Sequence, residues 1–205
     1  MLSEQRSKFR EFDKKIGEIF SQPGLTANHY TFLALILSLF CFYFLSKVNL
    51  GAGLFFFAGA AVLDLVDGAV ARYTKKASPQ GAYLDTVFDR YVEGIILLGL
   101  ISLPLSPLFL PAKVWIFLSF LGSLMTTYSK AAAKEKGLVQ EELKAGFVGR
   151  GERMILIFLS FVLGIINLSW MLYPIIVLAI LSNFTAFQRV FLALHPTKSQ
   201  GSGPS

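Results

Sequence analysis

Between Asp64 and Asp89 the chain reads D-L-V-D-G-A-V-A-R, then eight residues, then G-A-Y-L-D-T-V-F-D. Four aspartates, several small residues and an arginine thus recur at fixed intervals in otherwise apolar sequence. On a helix, Asp64, Asp67, Gly68, Ala71 and Arg72 fall at i, i+3, i+4, i+7 and i+8 and share one stripe. Gly81, Asp85 and Asp89 form a second stripe at i, i+4 and i+8. Hard cations such as Mg²⁺ and Mn²⁺ prefer carboxylate oxygens. Two helices that turn pairs of aspartates toward each other can hold two such ions roughly 3.5 to 4 Å apart, clamping the attacking and leaving oxygens of a phosphoryl transfer. No His or Cys accompanies the acids, which argues against zinc. Gly68 and Ala71 leave helix backbone uncovered for a flat base or a diphosphate, and Gly81 permits close helix approach.

Two other readings compete. The aspartates could be salt-bridged helix ends beside Arg72 and Arg90, although two arginines cannot neutralise four buried acids. They could also mark the path of a cation or proton transporter. Against a transporter, the unusual polar groups all fall at one end of their apolar segments, which describes a one-sided cavity.

The elements that must carry these residues are membrane helices. Of 205 residues, 54% are hydrophobic and only 16% charged, with 20 Phe and a mean hydropathy of +0.60. A soluble domain carries more charge. Apolar stretches run from about Tyr30 to Ser46, Leu50 to Ala71, Leu84 to Leu103, Val114 to Ala133, Met154 to Leu168 and Trp170 to Leu194. Each is near the roughly 20 residues a spanning helix needs, the fifth being short. The expected fold is an all-α integral membrane protein with six transmembrane helices. A charged group near the centre of such a helix costs roughly 2.5 to 3.5 kcal/mol, so the aspartates require a compensating partner.

Basic residues alternate by loop. Arg6, Lys8, Arg10, Lys14 and Lys15 precede the first span, Arg72, Lys75 and Lys76 follow the second, Lys130 to Arg153 bracket the link between the fourth and fifth, and Lys198 follows the sixth. The opposite loops hold Lys47 and Lys113. By the positive-inside rule both termini and the acidic site face the cytoplasm of a multi-pass cell-membrane protein. The net charge of +6 is then a topology signal that also attracts anionic lipid headgroups, and nucleic acid is not an expected partner. Phe9, Phe12, Ile16, Ile19 and Phe20 recur at helical spacing before Pro23 and Gly24, so residues 1–22 are expected to form an interfacial amphipathic helix. Residues 23–196 would be the six-span domain and 197–205 a disordered Gly/Ser-rich tail. The charged N-terminus lacks the apolar core of a cleavable signal peptide. Cys41, within the first span, is expected to serve packing.

The aspartate segment resembles, with every defined position filled, the signature Asp-x2-Asp-Gly-x2-Ala-Arg-x8-Gly-x3-Asp-x3-Asp of the CDP-alcohol phosphotransferases. The resemblance extends over nearly the whole chain. It implies displacement of CMP from a CDP-linked alcohol by an acceptor hydroxyl, dependent on two Mg²⁺ or Mn²⁺ ions and usually carried out by a homodimer. It further implies that Asp64, Asp67 and Asp85 bind metal and that Asp89 is a general base that also touches metal. Asn28, Thr31, Gly68, Ala71, Arg72, Ser78 and Gly81 would line the site of the CDP donor.

Downstream, Y-S-K-A-A-A-K-E-K-G and G-F-V-G-R-G-E-R-M-I resemble the branch that uses inositol 1-phosphate as acceptor, the phosphatidylinositol-phosphate synthases and their archaeal counterparts. Ala132 and Lys134 depart from the Arg and Glu of that branch's pattern. On this resemblance Lys130, Arg150, Arg153 and Arg189 form an acceptor-phosphate pocket. Loop charge set by membrane topology, and snorkelling of Arg189, are the competing accounts of these cations. The expected product is a phosphatidyl- or archaetidyl-inositol phosphate. Glycerol 3-phosphate or serine as acceptor, or CDP-inositol as donor, are the alternatives within the family.

Overall fold

The computed structural model describes residues 2–139 and 146–195, and these are helical throughout apart from turns and an isolated bridge between Leu108 and Leu110. Lys144, Lys198 and the expected tail 197–205 lie outside the described residues, as do the side chains of Phe9 and Phe12. The helices are α1 (Leu2–Ser21), α2 (Ala27–Ser46), α3 (Leu50–Tyr73), α4 (Pro79–Ile101), α5 (Ala112–Glu135), α6 (Arg150–Ile166) and α7 (Leu172–Leu194), with a 3-10 turn at Leu168–Met171 before α7. Each of the six apolar stretches falls on one helix, but the ends differ. α4 begins at Pro79 rather than near Leu84, and α6 at Arg150 rather than Met154. Hydropathy registers only the apolar part of a helix, whereas its ends are set by capping groups. α2, α3 and Leu168–Leu194 are long and apolar enough to cross a membrane. α4 carries Asp85, Asp89, Arg90 and Glu93, α5 is rich in Ser and Thr, and α6 has 17 residues.

The chain divides into two compact units, residues 1–99 and 100–205. In the first, α1 ends where Gly24 adopts φ +74° and its N–H bonds the Ser21 carbonyl at 3.1 Å. α2 starts at Thr26, whose N–H donates to Nδ1 of His29 at 3.0 Å. Asn49 caps α3 by accepting from Ala52 N–H at 3.0 Å. α2 and α3 pack as a pair, with Phe40, Phe44 and Phe56 stacked between them. α1 packs on α3. Its Ile16 and Phe20 lie against a buried cluster of Tyr30, Val66 and Val70, and the Tyr30 hydroxyl donates to the Phe20 carbonyl at 2.6 Å. The apolar stripe of α1 is therefore shared. Ile16 and Phe20 face protein, while Ile19 is exposed.

In the second unit α5 packs on α7, and α6 packs on α7 and the 3-10 turn. Small residues make the α5 face: Ser119, Gly122, Ser123 and Thr126 are all buried. Ser119 donates to the Ile175 carbonyl at 3.0 Å, and Asn183 of α7 donates to the Leu118 carbonyl at 2.8 Å. Such close packing of small and hydroxylated residues holds helices together where apolar burial supplies little difference between protein and lipid.

Candidate active site

The acids of the first unit converge. One carboxylate oxygen from each of Asp64, Asp67 and Asp85 lies within 4.8 Å of the others, joining the end of α3 to the start of α4. Asp67 is buried and the other two half-buried. Its Oδ2 accepts a hydrogen bond from the Thr31 hydroxyl of α2 at 2.7 Å. Three carboxylates this close repel one another unless a cation sits among them, and an all-oxygen donor set suits a hard divalent ion. The residues therefore fit a divalent-metal site. Asp89 is buried one turn further along α4. Arg90 follows it, with Nη2 3.9 Å from Asp89 Oδ2 and Nη1 3.1 Å from the buried Glu93.

Beside the acids lies a cavity of about 450 Å³ lined by Asp67 and Asp85 and by each residue expected at the donor: Asn28, Thr31, Gly68, Ala71, Arg72, Ser78 and Gly81. The small residues explain its shape. A Cβ on Gly68 would stand 3.0 Å from Nη1 of Arg72, and one on Gly81 would stand 3.3 Å from Ser78 Oγ and 3.5 Å from Asn28 Oδ1. Ser78 also has a structural duty, since its Oγ accepts from Gly81 N–H at 3.0 Å and caps α4. The cavity is walled by the first turns of α2 and α4, the last turns of α3 and the loops between them, and Gly24, Ala27, Ala77 and Ala82 add further small residues to that wall.

Arg72 has a partner that sequence reasoning missed. Its Nε and Nη2 donate side-on to both oxygens of Asp13, at 2.8 and 2.6 Å. These hydrogen bonds hold the Asp13 carboxyl below its ordinary range; slight burial opposes them and the guanidinium charge adds to them. Arg72 is thus engaged by Asp13, and Arg90 lies between Asp89 and Glu93. Asp13 and Arg72 are 59 residues apart, so no local motif marks them. The usable signal is that Asp13, Gly17 and Phe20 share the face of α1 that meets α3.

The expected phosphate-binding cations belong to the second unit. Arg189 turns inward, with Nη1 donating to the Thr126 carbonyl at 2.6 Å, which distinguishes it from a snorkelling side chain. Lys130 stands one turn beyond Thr126 on α5. Arg153, 3% exposed, lies within electrostatic reach of Arg189. Such burial is foreign to solvated loop charge. Arg150 opens α6, where Glu152 Oε2 accepts from Gly149 N–H at 2.9 Å. The preceding loop rests on α7, with Val148 N–H donating to Thr185 Oγ1 at 3.3 Å and Gly146 against Thr185 and Arg189. Gly146 adopts φ +146°.

Comparison with known proteins gives the family and the fold. The family model described as CDP-alcohol phosphatidyltransferase matches residues 24–187. The chain is 33% identical over 199 residues to a protein of Pyrococcus horikoshii named archaetidylinositol phosphate synthase, covering 94% of this chain and 96% of that one. Its fold is that of the phosphatidylinositol phosphate synthase of Mycobacterium tuberculosis. It superposes on the crystal structure with CDP-DAG bound at a TM-score of 0.77 and 21% identity, over 95% of this chain and 99% of the other. A structure of the same enzyme in complex with manganese and citrate matches at the same TM-score, 0.77, and identity, 21%, over 94% and 93% of the two chains. A family match across most of the sequence and a relative aligned over nearly its whole length establish that this chain belongs to the CDP-alcohol phosphatidyltransferases, enzymes that transfer phosphate-containing groups.

Proposed function

We propose that the protein displaces CMP from a CDP-linked lipid, CDP-archaeol or CDP-diacylglycerol, with a hydroxyl of inositol 1-phosphate, giving an archaetidyl- or phosphatidyl-inositol phosphate. The observation that carries this reading is the convergence of Asp64, Asp67 and Asp85 beside a cavity lined by the donor residues of the family signature. The relative named archaetidylinositol phosphate synthase, aligned over nearly its whole length, supports the inositol phosphate acceptor. Two Mg²⁺ or Mn²⁺ ions bound to the aspartates would neutralise the donor diphosphate and polarise the phosphorus attached to the lipid.

The chain's own residues do the rest. Thr31 fixes the orientation of Asp67, leaving the second oxygen of that carboxylate for metal. Arg72 faces the diphosphate, while Gly68, Ala71 and Gly81 let it and the cytidine approach backbone. Lys130, Arg150, Arg153 and Arg189 hold the acceptor phosphate. Asp89 takes the proton from the inositol hydroxyl as its oxygen bonds to phosphorus, and the phosphorus–oxygen bond to CMP breaks, the bridging oxygen leaving with CMP. The molecule is a homodimer whose six helices from α2 to α7 span the cell membrane, with α1 on the cytoplasmic surface and the active site facing the cytoplasm, where the lipid chains remain in the leaflet during turnover.

The test is CMP release by purified protein. CDP-archaeol and CDP-diacylglycerol are each offered with inositol 1-phosphate, free inositol, glycerol 3-phosphate and serine. Release with inositol 1-phosphate above the other acceptors is expected; no release with any of them would overturn the reading.

A further inference from the structure

α1 is fastened to α3 at the edge of the donor cavity, and its face there is specific. A Cβ on Gly17 would lie 2.5 Å from the Tyr73 Cβ and 2.7 Å from the Ala69 carbonyl oxygen, so glycine is what allows the two backbones to meet. Phe20 anchors one side of this contact through its carbonyl, held by Tyr30, and its ring, edge-on to Tyr30 at a centroid distance of 5.9 Å. Asp13, one turn before Gly17, is thereby set opposite Arg72. The pair is side-on: two guanidinium donors are taken by two carboxylate oxygens, which fixes the plane of the group as well as its position. The remaining terminal nitrogen, Nη1, lies against Gly68 on the cavity wall.

As a stability device this pair would be weak. The Arg72 side chain is 60% exposed, and exposed ion pairs contribute little to folding. An acid beside a cavity that receives a diphosphate also costs repulsion. Both facts make sense if the pair orients a ligand-binding group, because an arginine already locked in rotamer loses less freedom when the donor arrives.

We propose that Asp13 is a positioning residue for the donor site, holding Arg72 so that Nη1 is presented to the CDP diphosphate, and that α1 is thus part of the donor site as well as a surface helix. This inference rests on the donor assignment made above. It predicts a defect in donor handling that leaves the acceptor untouched.

The test uses the full-length protein in detergent, with CDP-archaeol or CDP-diacylglycerol as donor and inositol 1-phosphate as acceptor. Asp13→Asn and Asp13→Ala should raise the donor KM about tenfold, the scale of one weakened charge-assisted contact, with the acceptor KM unchanged. Asp13→Glu should recover most of the loss. In an Arg72→Ala background, Asp13→Asn should change donor KM less than twofold, because the two residues act as one unit. Soluble CDP gives a readout independent of turnover: its thermal stabilisation of the protein should shrink in Asp13→Asn, while the melting temperature without ligand stays near wild type. An unchanged donor KM, an equal loss through the acceptor, or full effects of both substitutions in the double variant would overturn the proposal. A lower donor KM in Asp13→Ala would overturn it too, since Asp13 would then be competing with the donor for Arg72. If wild-type protein released no CMP from either donor, the broader reading would fail first and carry this inference with it; wild-type turnover with an indifferent Asp13 would sink only this one.

Discussion

The Thr31 hydroxyl donates to Oδ2 of Asp67 at 2.7 Å, a buried contact that links α2 to the acidic cluster of α3 and α4. The bond uses one face of the carboxylate and holds its rotamer, so that the second oxygen is aimed before any cation binds. Outer partners of metal-binding groups typically matter about 10- to 100-fold in metal affinity or activity. Thr31→Val, which removes the donor and keeps the shape, is expected to weaken Mn²⁺ activation on that scale. Thr31→Ser should come close to wild type. A Mn²⁺ titration of CMP release measures the difference.

The three clustered aspartates predict strict metal dependence. Chelation should abolish turnover, and Mg²⁺ or Mn²⁺ should restore it. Asp64→Asn, Asp67→Asn and Asp85→Asn should each lose metal-supported donor binding. Asp89→Asn, whose side chain is assigned to proton transfer, should lose kcat and keep donor affinity. Turnover in excess chelator, or an Asp89→Asn variant with wild-type kcat, would remove these assignments.

The six apolar stretches and the resemblance of the aspartate segment were legible because both are carried by type and spacing within one stretch of chain. What remained hidden was contact between distant segments. Thr31 and Asp67 are 36 residues apart, and the hydroxyl reads in sequence only as a polar residue at the start of an apolar run. Asp13 reads as one charge among many on an amphipathic helix, and only the approach permitted by Gly17 gives it a partner. The helices start at Pro79 and Arg150, ahead of the apolar stretches, because Ser78 and the Gly149–Glu152 pair provide the capping while hydropathy rises a turn later.

The side-on pair also fixes a pH dependence. Asp13 titrates lower folded than unfolded, so the contribution of the pair is present above the unfolded value and is lost as pH falls through the folded one. Across about pH 5 to 8 Asp13 therefore stays ionised, and CDP binding should show no step that Asp13→Asn removes. Thermal stabilisation by CDP, followed across that range in both proteins, checks this. A wild-type step near neutrality that disappears in Asp13→Asn would show that the pair does not hold as described.

Packing in the second unit gives a stability prediction. A Cβ on Gly122 would meet Ser182 Oγ and lie 2.7 Å from the Asn183 backbone nitrogen, within the packing of α5 on α7. Backbone cannot yield as a flexible side chain can. Gly122→Ala should cost about 1 to 3 kcal/mol, the usual range for overpacking, read as a lower melting temperature in detergent. Gly151, with open space around its Cβ position, is the control: Gly151→Ala should leave stability unchanged or slightly improved.

On the proposed function, the cations of the second unit select a phosphorylated acceptor. A phosphate monoester carries nearly two negative charges, and drawing it out of water requires several converging donors; a neutral alcohol requires none. Arg153 is almost wholly buried and Arg189 is bent inward to the Thr126 carbonyl, positions that cost desolvation and that mere topology charge would not take. Inositol 1-phosphate should accordingly be turned over well and free inositol poorly. Arg150→Ala or Arg189→Ala should lose about 2 to 3 kcal/mol in kcat/KM for inositol 1-phosphate, the scale of one lost charge-assisted bond, with the donor KM nearly unchanged. For free inositol the same substitutions should matter little, because the missing phosphate has no contact to lose. If both acceptors suffer alike, the arginines serve packing of α6 and α7; if neither does, the cations report membrane orientation, and the phosphotransferase assignment stands with a different acceptor.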